Sequence, residues 1–236
     1  MPVLPSAPSR ALLPTAVLFD MDGTLVDTEP YWIEAEIELV RSFGGAWTEA
    51  DALAMVGSGL EDCAAVLQRA GADLGVREIV DHLLARVVAR TRERTVHRDG
   101  ALELVAALRD RGVPLALVTS SEAPLAEVVV DAFGGPGVFD VVVTGDLGHP
   151  AKPAPDPYLL CAARLPAHDG RRPDPRGMVA VEDSRTGVRS ATAAGIFTVG
   201  VPSVVPLDGA GADHLLPSLA GVTPDDLGRL VAGVPA

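Results

Sequence analysis

The stretch AVLFDMDGTLVD, residues 16–27, decides the fold that the sequence predicts. Its first four residues are apolar, which is the pattern of a short buried strand. The strand ends at Asp20, and Asp22 and Gly23 follow directly. Carboxylates at this point lie where open parallel sheets bind their ligands, outside the carboxyl ends of the strands. We therefore expect a parallel sheet with a polar site at one edge.

The chain after Asp27 changes to a helical pattern. Apolar residues recur at helical spacing as far as about Arg94, and glycines interrupt the pattern. Helices are predicted over Glu29–Phe43, after a capping box that begins at Thr48, over Leu60–Ala70 and over Val76–Arg94. This stretch is therefore predicted to be all-helical.

From Gly100 onward, helix and strand patterns alternate, which is typical of a parallel sheet built from right-handed crossovers. Strands are predicted at Val113–Val118, Phe139–Val143, Met178–Val181 and Ile196–Val199. The chain from Val204 is expected to be loose up to a last helix at Pro224–Val231. We predict an α/β core of residues 16–27 and 96–236, a helical insertion of residues 28–95, and a loose tail of residues 1–15.

Composition limits the partners. The chain has 236 residues and a formal net charge of −13. A field of this sign repels nucleic-acid phosphates, so no nucleic-acid partner is expected. No apolar run approaches the ~20 residues of a membrane span, and residues 1–15 do not resemble a signal peptide. Cys63 and Cys161 lie far apart without a CxxC pattern. We expect a cytoplasmic protein with reduced cysteines and no membrane partner, and we favour a monomer.

Polar residues follow the predicted strands. They are Asp20 and Asp22 after the first strand, Thr119 and Ser120 after the second, Lys152 in the loop after the third, and Glu182 and Asp183 at the fourth. Of the 19 basic residues, 18 are arginines and Lys152 alone is a lysine. Since the carboxyl ends of parallel strands meet at one edge of the sheet, these side chains are expected to converge.

The predicted cluster suits phosphoryl transfer. Carboxylates this close repel one another, and a divalent cation removes the conflict. Mg²⁺ prefers an octahedron of oxygen ligands, which the four acids can supply in part. Thr119 can hold a phosphoryl oxygen, and Lys152 offers a compact positive charge. A metal and an ammonium around a carboxylate fit a reaction through an aspartyl-phosphate.

These residues resemble the four motifs of the haloacid dehalogenase superfamily. The matching stretches are DMDGTLVD at residues 20–27, Thr119, KPAPD at residues 152–156 and EDS at residues 182–184. They occur in the family's order and span nearly the whole chain. DTEPYW at residues 27–32 is similar to the branch that holds β-phosphoglucomutase and the sugar-phosphate phosphatases. The helical insertion resembles the superfamily's small α-helical cap.

The resemblance implies a Rossmann-like core and a role for each matching residue. Asp20 would be the nucleophile and a Mg²⁺ ligand. Asp22 would protonate the leaving alcohol and then deprotonate the hydrolytic water, while its backbone carbonyl touches Mg²⁺. The phosphoryl group would be bound by Thr119, Ser120 and Lys152, and Mg²⁺ would also be held by Asp183 and Glu182.

Departures from the family patterns favour a phosphatase. Dehalogenases need no Asp22, because a halide leaves without a proton. Phosphonate hydrolases of this cap type use a cap lysine, and residues 28–95 contain none. The mutase presents a His and an Arg where this chain has Trp32 and Leu60. We expect hydrolysis of a small phosphorylated metabolite, such as a sugar or polyol monophosphate. Mutase action stays the alternative, and a phosphorylatable receiver-like signalling domain is a remote one.

The substrate itself is expected to be selected by the cap. The candidate contacts are Glu29, Trp32 and Gly57. Trp32 also fits the core of the cap. Arg86, Arg90 and Arg94 form a stripe at helical spacing, which fits either a solvated face or a contact to a substrate phosphate.

Overall fold

The computed structural model describes residues 12–167 and 172–234. The strands are β1 (Ala16–Phe19), β2 (Leu115–Val118), β3 (Val141–Val143), β4 (Met178–Glu182), β5 (Phe197–Gly200) and β6 (His214–Leu215). The helices are α1 (Glu29–Ser42), α2 (Glu49–Leu53), α3 (Leu60–Arg69), α4 (Val76–Glu93), α5 (Ala101–Asp110), α6 (Ala123–Ala132), α7 (Asp156–Arg164), α8 (Arg185–Ala193) and α9 (Pro224–Val231). Single 3₁₀ turns lie at Gly145–Leu147 and Pro175–Gly177.

Within the described residues, the strands form one six-stranded sheet in the order β3-β2-β1-β4-β5-β6. Every neighbouring pair is parallel. This confirms the predicted α/β class with a Rossmann-like parallel sheet. The expectation of loose chain after Val204 was wrong at one place, because β6 pairs with β5 at the sheet edge. Only two residues pair there, too few to show a strand pattern in the sequence.

Strand β1 lies inside the sheet and is buried on both faces. Its four residues are fully buried. Val17 and Phe19 join a core that also contains residues of α1, α3, α4 and α5. Ala16 and Leu18 join the core on the other face, beneath α7 and α8. A strand buried on both faces is a continuous apolar run, which is the pattern of residues 16–19 in the sequence.

Helices α1 to α4, residues 29–93, form a segment that we call the helical segment. Within it, α4 packs against both α1 and α3. The chain enters and leaves it through two connections that lie side by side. Val26 and His97 form an antiparallel bridge there. The Asp27 N–H donates to the Val96 carbonyl at 2.8 Å, and the Arg98 N–H donates to the Leu25 carbonyl at 2.9 Å.

Two further expectations concern membranes and thiols. None of the helices in the described residues is long and apolar enough to cross a membrane. Cys63 and Cys161 are both free and buried. The two thiols lie in different parts of the fold, since Cys63 is in α3 and Cys161 is in α7.

Candidate active site

The carboxyl ends of β1, β2 and β4 open into a cavity of about 110 Å³. The predicted site residues that line it are Asp20, Asp22, Thr119, Ser120, Lys152 and Asp183 from the sheet side, with Glu29, Trp32 and Gly57 from the helical segment. Glu182 is fully buried beneath the cavity floor, where Lys152 contacts it. The fold thus gathers residues from separate stretches of the chain at one edge of the sheet.

The loop after β1 is closed by Gly23. Its N–H donates to the Val26 carbonyl at 2.7 Å, and its φ of 79° lies in the left-handed region. A Cβ at this position would lie 2.0 Å from Oδ2 of Asp183. Thr24, the next residue, donates from its hydroxyl to Oδ2 of Asp20 at 3.0 Å. Only glycine at position 23 lets the loop lie in contact with Asp183, the residue that follows β4.

Asp22 is held by hydroxyl groups and not by a cation. Its carboxyl accepts hydrogen bonds from Thr28, from Ser121 at 2.7 Å and from Thr119 at 3.3 Å. Burial raises the pKa of Asp22, and the neighbouring Asp20 adds to the rise, while the hydroxyls oppose it. A carboxyl whose proton is held more tightly than usual is suited to general acid–base work near neutral pH.

Lys152 connects Asp20, which follows β1, to Glu182 at the end of β4. Its ammonium donates to Oδ1 of Asp20 at 2.7 Å, to Oε1 of Glu182 at 2.6 Å and to the Val118 carbonyl at 2.9 Å. Burial alone would lower the pKa of Lys152, but the two carboxylates raise it above its ordinary range. Lys152 is therefore a permanent cation on the floor of the cavity.

The acids beside Lys152 form a group that can hold a metal ion. Asp20, Glu182 and Asp183 each offer a carboxylate oxygen, and these oxygens lie within 4.8 Å of one another. Burial, and then Asp20 and Glu182, raise the pKa of Asp183 well above its usual range. One ammonium cannot balance three buried carboxylates. A divalent cation with oxygen ligands fits this donor set.

The opposite wall of the cavity is built by α1. Glu29, Trp32 and Glu36 lie on one face of this helix, and all three line the cavity. Burial, and then the Asp22 and Glu36 carboxyls, raise the pKa of Glu29 to about 7. Glu36 is 5 % exposed and accepts a hydrogen bond from the Trp47 indole N–H at 3.0 Å and one from the Cys63 thiol at 3.3 Å. This wall is acidic.

Comparison with known proteins decides the family. A family model of haloacid dehalogenase-like hydrolases matches residues 14–195. The chain belongs to the haloacid dehalogenase-like hydrolases. It is 34% identical to Protein CbbY of Cereibacter sphaeroides, covering 87% of this chain and 92% of the relative. It is 30% identical to Hexitol phosphatase B of Escherichia coli K12, covering 80% and 83%.

A solved structure shows the same architecture. It is a crystal structure of a CbbY mutant from Rhodobacter sphaeroides in complex with xylulose-(1,5)bisphosphate. The two chains are 30% identical and superpose with a TM-score of 0.80, covering 91% of this chain and 99% of that one. These matches confirm the predicted family and its sugar-phosphate phosphatase branch, and with them the prediction that the chain is an enzyme of the phosphatase class. Members of the family generally use a divalent metal, which agrees with the acid group of this hydrolase.

Several residues of this hydrolase's site were missed by sequence reasoning. The Tyr158 hydroxyl, fully buried on α7, donates to Oε1 of Glu182 at 2.6 Å, and its ring lies 5.4 Å from the Lys152 ammonium. Ser203 donates to Oδ2 of Asp183. Ser203 follows β5, so its place after a strand was an available signal. Tyr158 and Glu36 had none, because each lies within a helical pattern and away from the end of any predicted strand.

The arginine stripe lies outside the cavity. Arg86 pairs with Glu38, and Arg90 pairs with Glu34 at 2.7 Å. All four side chains are about half exposed. Neither arginine lines the cavity, so both belong to a solvated face where α4 meets α1.

Proposed function

We propose that the protein is a Mg²⁺-dependent phosphatase that hydrolyses a small sugar or polyol monophosphate through an aspartyl-phosphate. The observation that carries the proposal is the pairing of two aspartates in one loop. Asp20 is bound to the Lys152 ammonium. Asp22 is surrounded by hydroxyls, and burial raises its pKa above the ordinary value. One carboxylate is thus suited to attack, and its neighbour is suited to move protons.

In the first step the Asp20 carboxylate attacks the phosphorus atom and the ester oxygen leaves. Asp22 donates its proton to that oxygen, so the alcohol departs uncharged. Lys152 holds Asp20 in place and balances the charge of the phosphoryl oxygens. Thr119 and Ser120 bind the same oxygens from the end of β2. In the second step Asp22, now ionised, takes a proton from the water that attacks the phosphorus of the aspartyl-phosphate. The bond between phosphorus and the Asp20 oxygen breaks, which releases inorganic phosphate and restores the Asp20 carboxylate.

Mg²⁺ fits the acid group described above. Asp20 and Asp183 would hold it with their carboxylates, the Asp22 backbone carbonyl would complete that side, and Glu182 would act directly or through water. When bound, the ion supplies positive charge to the phosphoryl oxygens as they gain charge in the transition state. Ser203 donates a hydrogen bond to the carboxyl of Asp183, which orients it for this role.

The helical segment is proposed to act as a cap over the core, within the predicted boundaries of residues 28–95. Its side-by-side connections at Val26 and His97 suit a single hinge. Glu29, Trp32 and Gly57 are the proposed substrate contacts on the cap. Trp32 takes the place at which the mutase presents a histidine, and this supports hydrolysis over transfer to another hydroxyl.

The cellular setting proposed is the cytoplasm, with the protein acting as a monomer on a small metabolite. Free, buried thiols support a reducing compartment. The net charge of −13 supports the absence of a nucleic-acid partner.

The experiment that tests the proposal compares wild type with Asp20→Asn. Hexitol 6-phosphate or p-nitrophenyl phosphate is incubated with Mg²⁺, and inorganic phosphate is followed by phosphorus NMR. Wild type should release phosphate, and the variant should lose it, because an amide is a far poorer nucleophile. Retention by the variant of more than about a tenth of the activity would remove Asp20 from its role. Conversion of β-glucose 1-phosphate to glucose 6-phosphate with little free phosphate would instead identify a mutase.

A further inference from the structure

The inner face of α1 carries two carboxyls at a fixed spacing. Glu29 lies near Asp22, whose charge contributes to its raised pKa. Glu36 is seven residues further along, which is two helical turns and ~10 Å along the axis. Trp32 lies between them on the same face, and all three line the cavity. A substrate held at Asp20 would therefore meet one carboxyl near its phosphoryl group and another further along its carbon chain.

Glu36 is built into the wall. Its Oε2 accepts from the Trp47 indole N–H at 3.0 Å, and its Oε1 accepts from the Cys63 thiol at 3.3 Å. Each carboxyl oxygen has a second lone pair, so Glu36 can still accept a hydrogen bond from a ligand. Since Trp47 and Cys63 are themselves buried, the carboxyl is fixed in one position before a substrate arrives.

The cavity holds little positive charge. Among the residues that the structure describes, Lys152 is the one lysine or arginine that lines it. Lys152 already contacts Asp20 and Glu182 at the reacting end. The arginines of α4 that face α1 are on its outer side, paired with Glu34 and Glu38. A second phosphate on the substrate would therefore face carboxyls at the α1 wall.

We propose that Glu29 and Glu36 select substrates with one phosphate and an uncharged, hydroxylated remainder, and that they discriminate against bisphosphates. The inference rests on the proposed phosphatase function. A carboxyl accepts a hydrogen bond from a hydroxyl whether or not it is protonated, so a polyol chain is bound along α1. A second phosphate loses its water at this wall without gaining a cation, which weakens its binding.

The ligand bound by the relative CbbY differs from the substrates that we propose for this chain. Its crystal structure holds xylulose-(1,5)bisphosphate, a sugar with two phosphates. The acidic wall of α1 predicts that this chain disfavours such a substrate, although the two folds superpose with a TM-score of 0.80. The reacting end can be shared between two such enzymes while the cap wall sets which remainder is accepted.

The test measures kcat/KM for matched pairs with the wild-type enzyme and Mg²⁺. Suitable pairs are fructose 1-phosphate with fructose 1,6-bisphosphate and a pentitol or hexitol monophosphate with its bisphosphate. The best monophosphate should exceed its bisphosphate by about tenfold or more, as expected when a second phosphate is desolvated without a cation beside it. An equal or higher value for the bisphosphates overturns the inference. So does a failure of every sugar or polyol monophosphate while p-nitrophenyl phosphate is hydrolysed.

p-Nitrophenyl phosphate separates this inference from the proposed function. It carries one phosphate and no hydroxyl, so its hydrolysis requires the reacting end and not the α1 wall. Hydrolysis of this ester with a preference for bisphosphates leaves the phosphatase function standing and removes the inference. Failure to hydrolyse any phosphate ester removes both.

Three variants assign the selectivity to the wall. Glu36→Gln should reduce the ratio of monophosphate to bisphosphate kcat/KM by about threefold or more, because it removes an ionisable group along the carbon chain and keeps an acceptor. Glu29→Gln should reduce the ratio less, because Glu29 lies beside the phosphoryl group that both substrates share. Glu34→Gln is the matched control on the outer face of the same helix, and its ratio should equal that of wild type. Thermal unfolding checks that each variant is folded. Ratios in the Glu29 and Glu36 variants that equal the control contradict the assignment.

Discussion

Gly23 lies where the loop that carries Asp20 and Asp22 contacts Asp183, the residue after β4. A side chain at position 23 would have no space there. In Gly23→Ala the new Cβ would clash with Asp183, and φ would remain in the left-handed region. We expect loss of most activity and a lower free energy of unfolding, by on the order of 1–3 kcal/mol. Phosphate release and denaturant unfolding measure the two effects.

Gly221→Ala is the control for Gly23→Ala. Gly221 has nearly the same φ, 75°, but a Cβ added there would meet no atom within 4 Å beyond its chain neighbours. This variant carries the backbone strain alone and should keep full activity. If both variants lose activity to the same degree, the clash with Asp183 is not the cause.

Glu29 should make the stability of the metal-free protein depend on pH. Burial and nearby carboxyls raise its pKa from 4.5 to about 7. The folded protein therefore holds this proton more tightly than the unfolded chain, and folding loses stability as the pH rises from about 4.5 to 7. Glu29→Gln removes this loss. Its free energy of unfolding relative to wild type should rise by on the order of 1–3 kcal/mol between pH 5 and pH 8.

Denaturant unfolding of wild type and Glu29→Gln at both pH values, in EDTA, measures this difference. A difference in stability that is the same at pH 5 as at pH 8 would show that Glu29 does not titrate in this range.

The sequence predicted which residues meet at the site better than it predicted how they are held. Asp20, Thr119 and Asp183 each follow a strand, and parallel strands bring their carboxyl ends together, so the convergence could be predicted. The supporting contacts could not. Tyr158 and Glu36 are polar groups buried on helices, and their partners are set by tertiary packing that no local pattern encodes. Their roles in function stay proposals.

An ion pair joins α4 of the helical segment to Glu122, the residue directly before α6 of the core. The Arg77 guanidinium donates to both carboxylate oxygens of Glu122, at 2.6 and 2.8 Å. A bidentate pair of this kind fixes orientation as well as distance. A second contact joins the two parts, where the Thr186 hydroxyl on α8 donates to the Gly57 carbonyl at 2.7 Å. Both contacts join the helical segment to the core.

Glu122→Gln should weaken the contact between the proposed cap and the core. The amide keeps the shape but loses the charge that pairs with Arg77. We expect KM for the substrate to rise by about two- to fivefold, since an exposed ion pair contributes up to ~1 kcal/mol. Initial rates across a range of substrate concentrations, at low and at high salt, measure this, and high salt should reduce the difference from wild type.

Asp81→Asn serves as the control for the ion pair. Asp81 also contacts Arg77, but both residues lie on α4, so this pair does not join α4 to α6. The variant should leave KM unchanged. An equal effect of the two variants would mean that Arg77 supports α4 itself and not the contact with α6.

The differences between the predicted and the observed strand ends have a physical cause. The second strand was predicted from Val113, but β2 begins at Leu115, since Pro114 cannot donate to a ladder. The third was predicted from Phe139, but β3 begins at Val141. Asp140, just before it, accepts from the Leu115 N–H through its side chain, at 2.8 Å. Strand interiors could be read from apolar runs, whereas strand ends depend on such contacts with a neighbouring strand.

For the whole molecule, the charge of the acid group predicts a strict requirement for a metal ion. EDTA should abolish activity and Mg²⁺ should restore it, because the buried carboxylates near Asp20 require a cation when substrate brings further negative charge. Ca²⁺ should inhibit, since it favours looser and higher coordination. Mg²⁺ should also raise Tm, because it binds the folded chain alone. Full activity in EDTA would disprove the metal assignment.

The position of β1 within the sheet determines when the enzyme becomes competent during synthesis. β1 emerges from the ribosome before β2 and β4, its two neighbours in the sheet. Val17 pairs with Leu115 on one side and with Val179 on the other. A growing chain that ends before β4 therefore lacks Glu182 and Asp183 and one side of the strand that carries Asp20. A nascent polypeptide that ends before β4 should therefore be inactive, because the sheet around the strand that carries Asp20 is completed by late, long-range pairing.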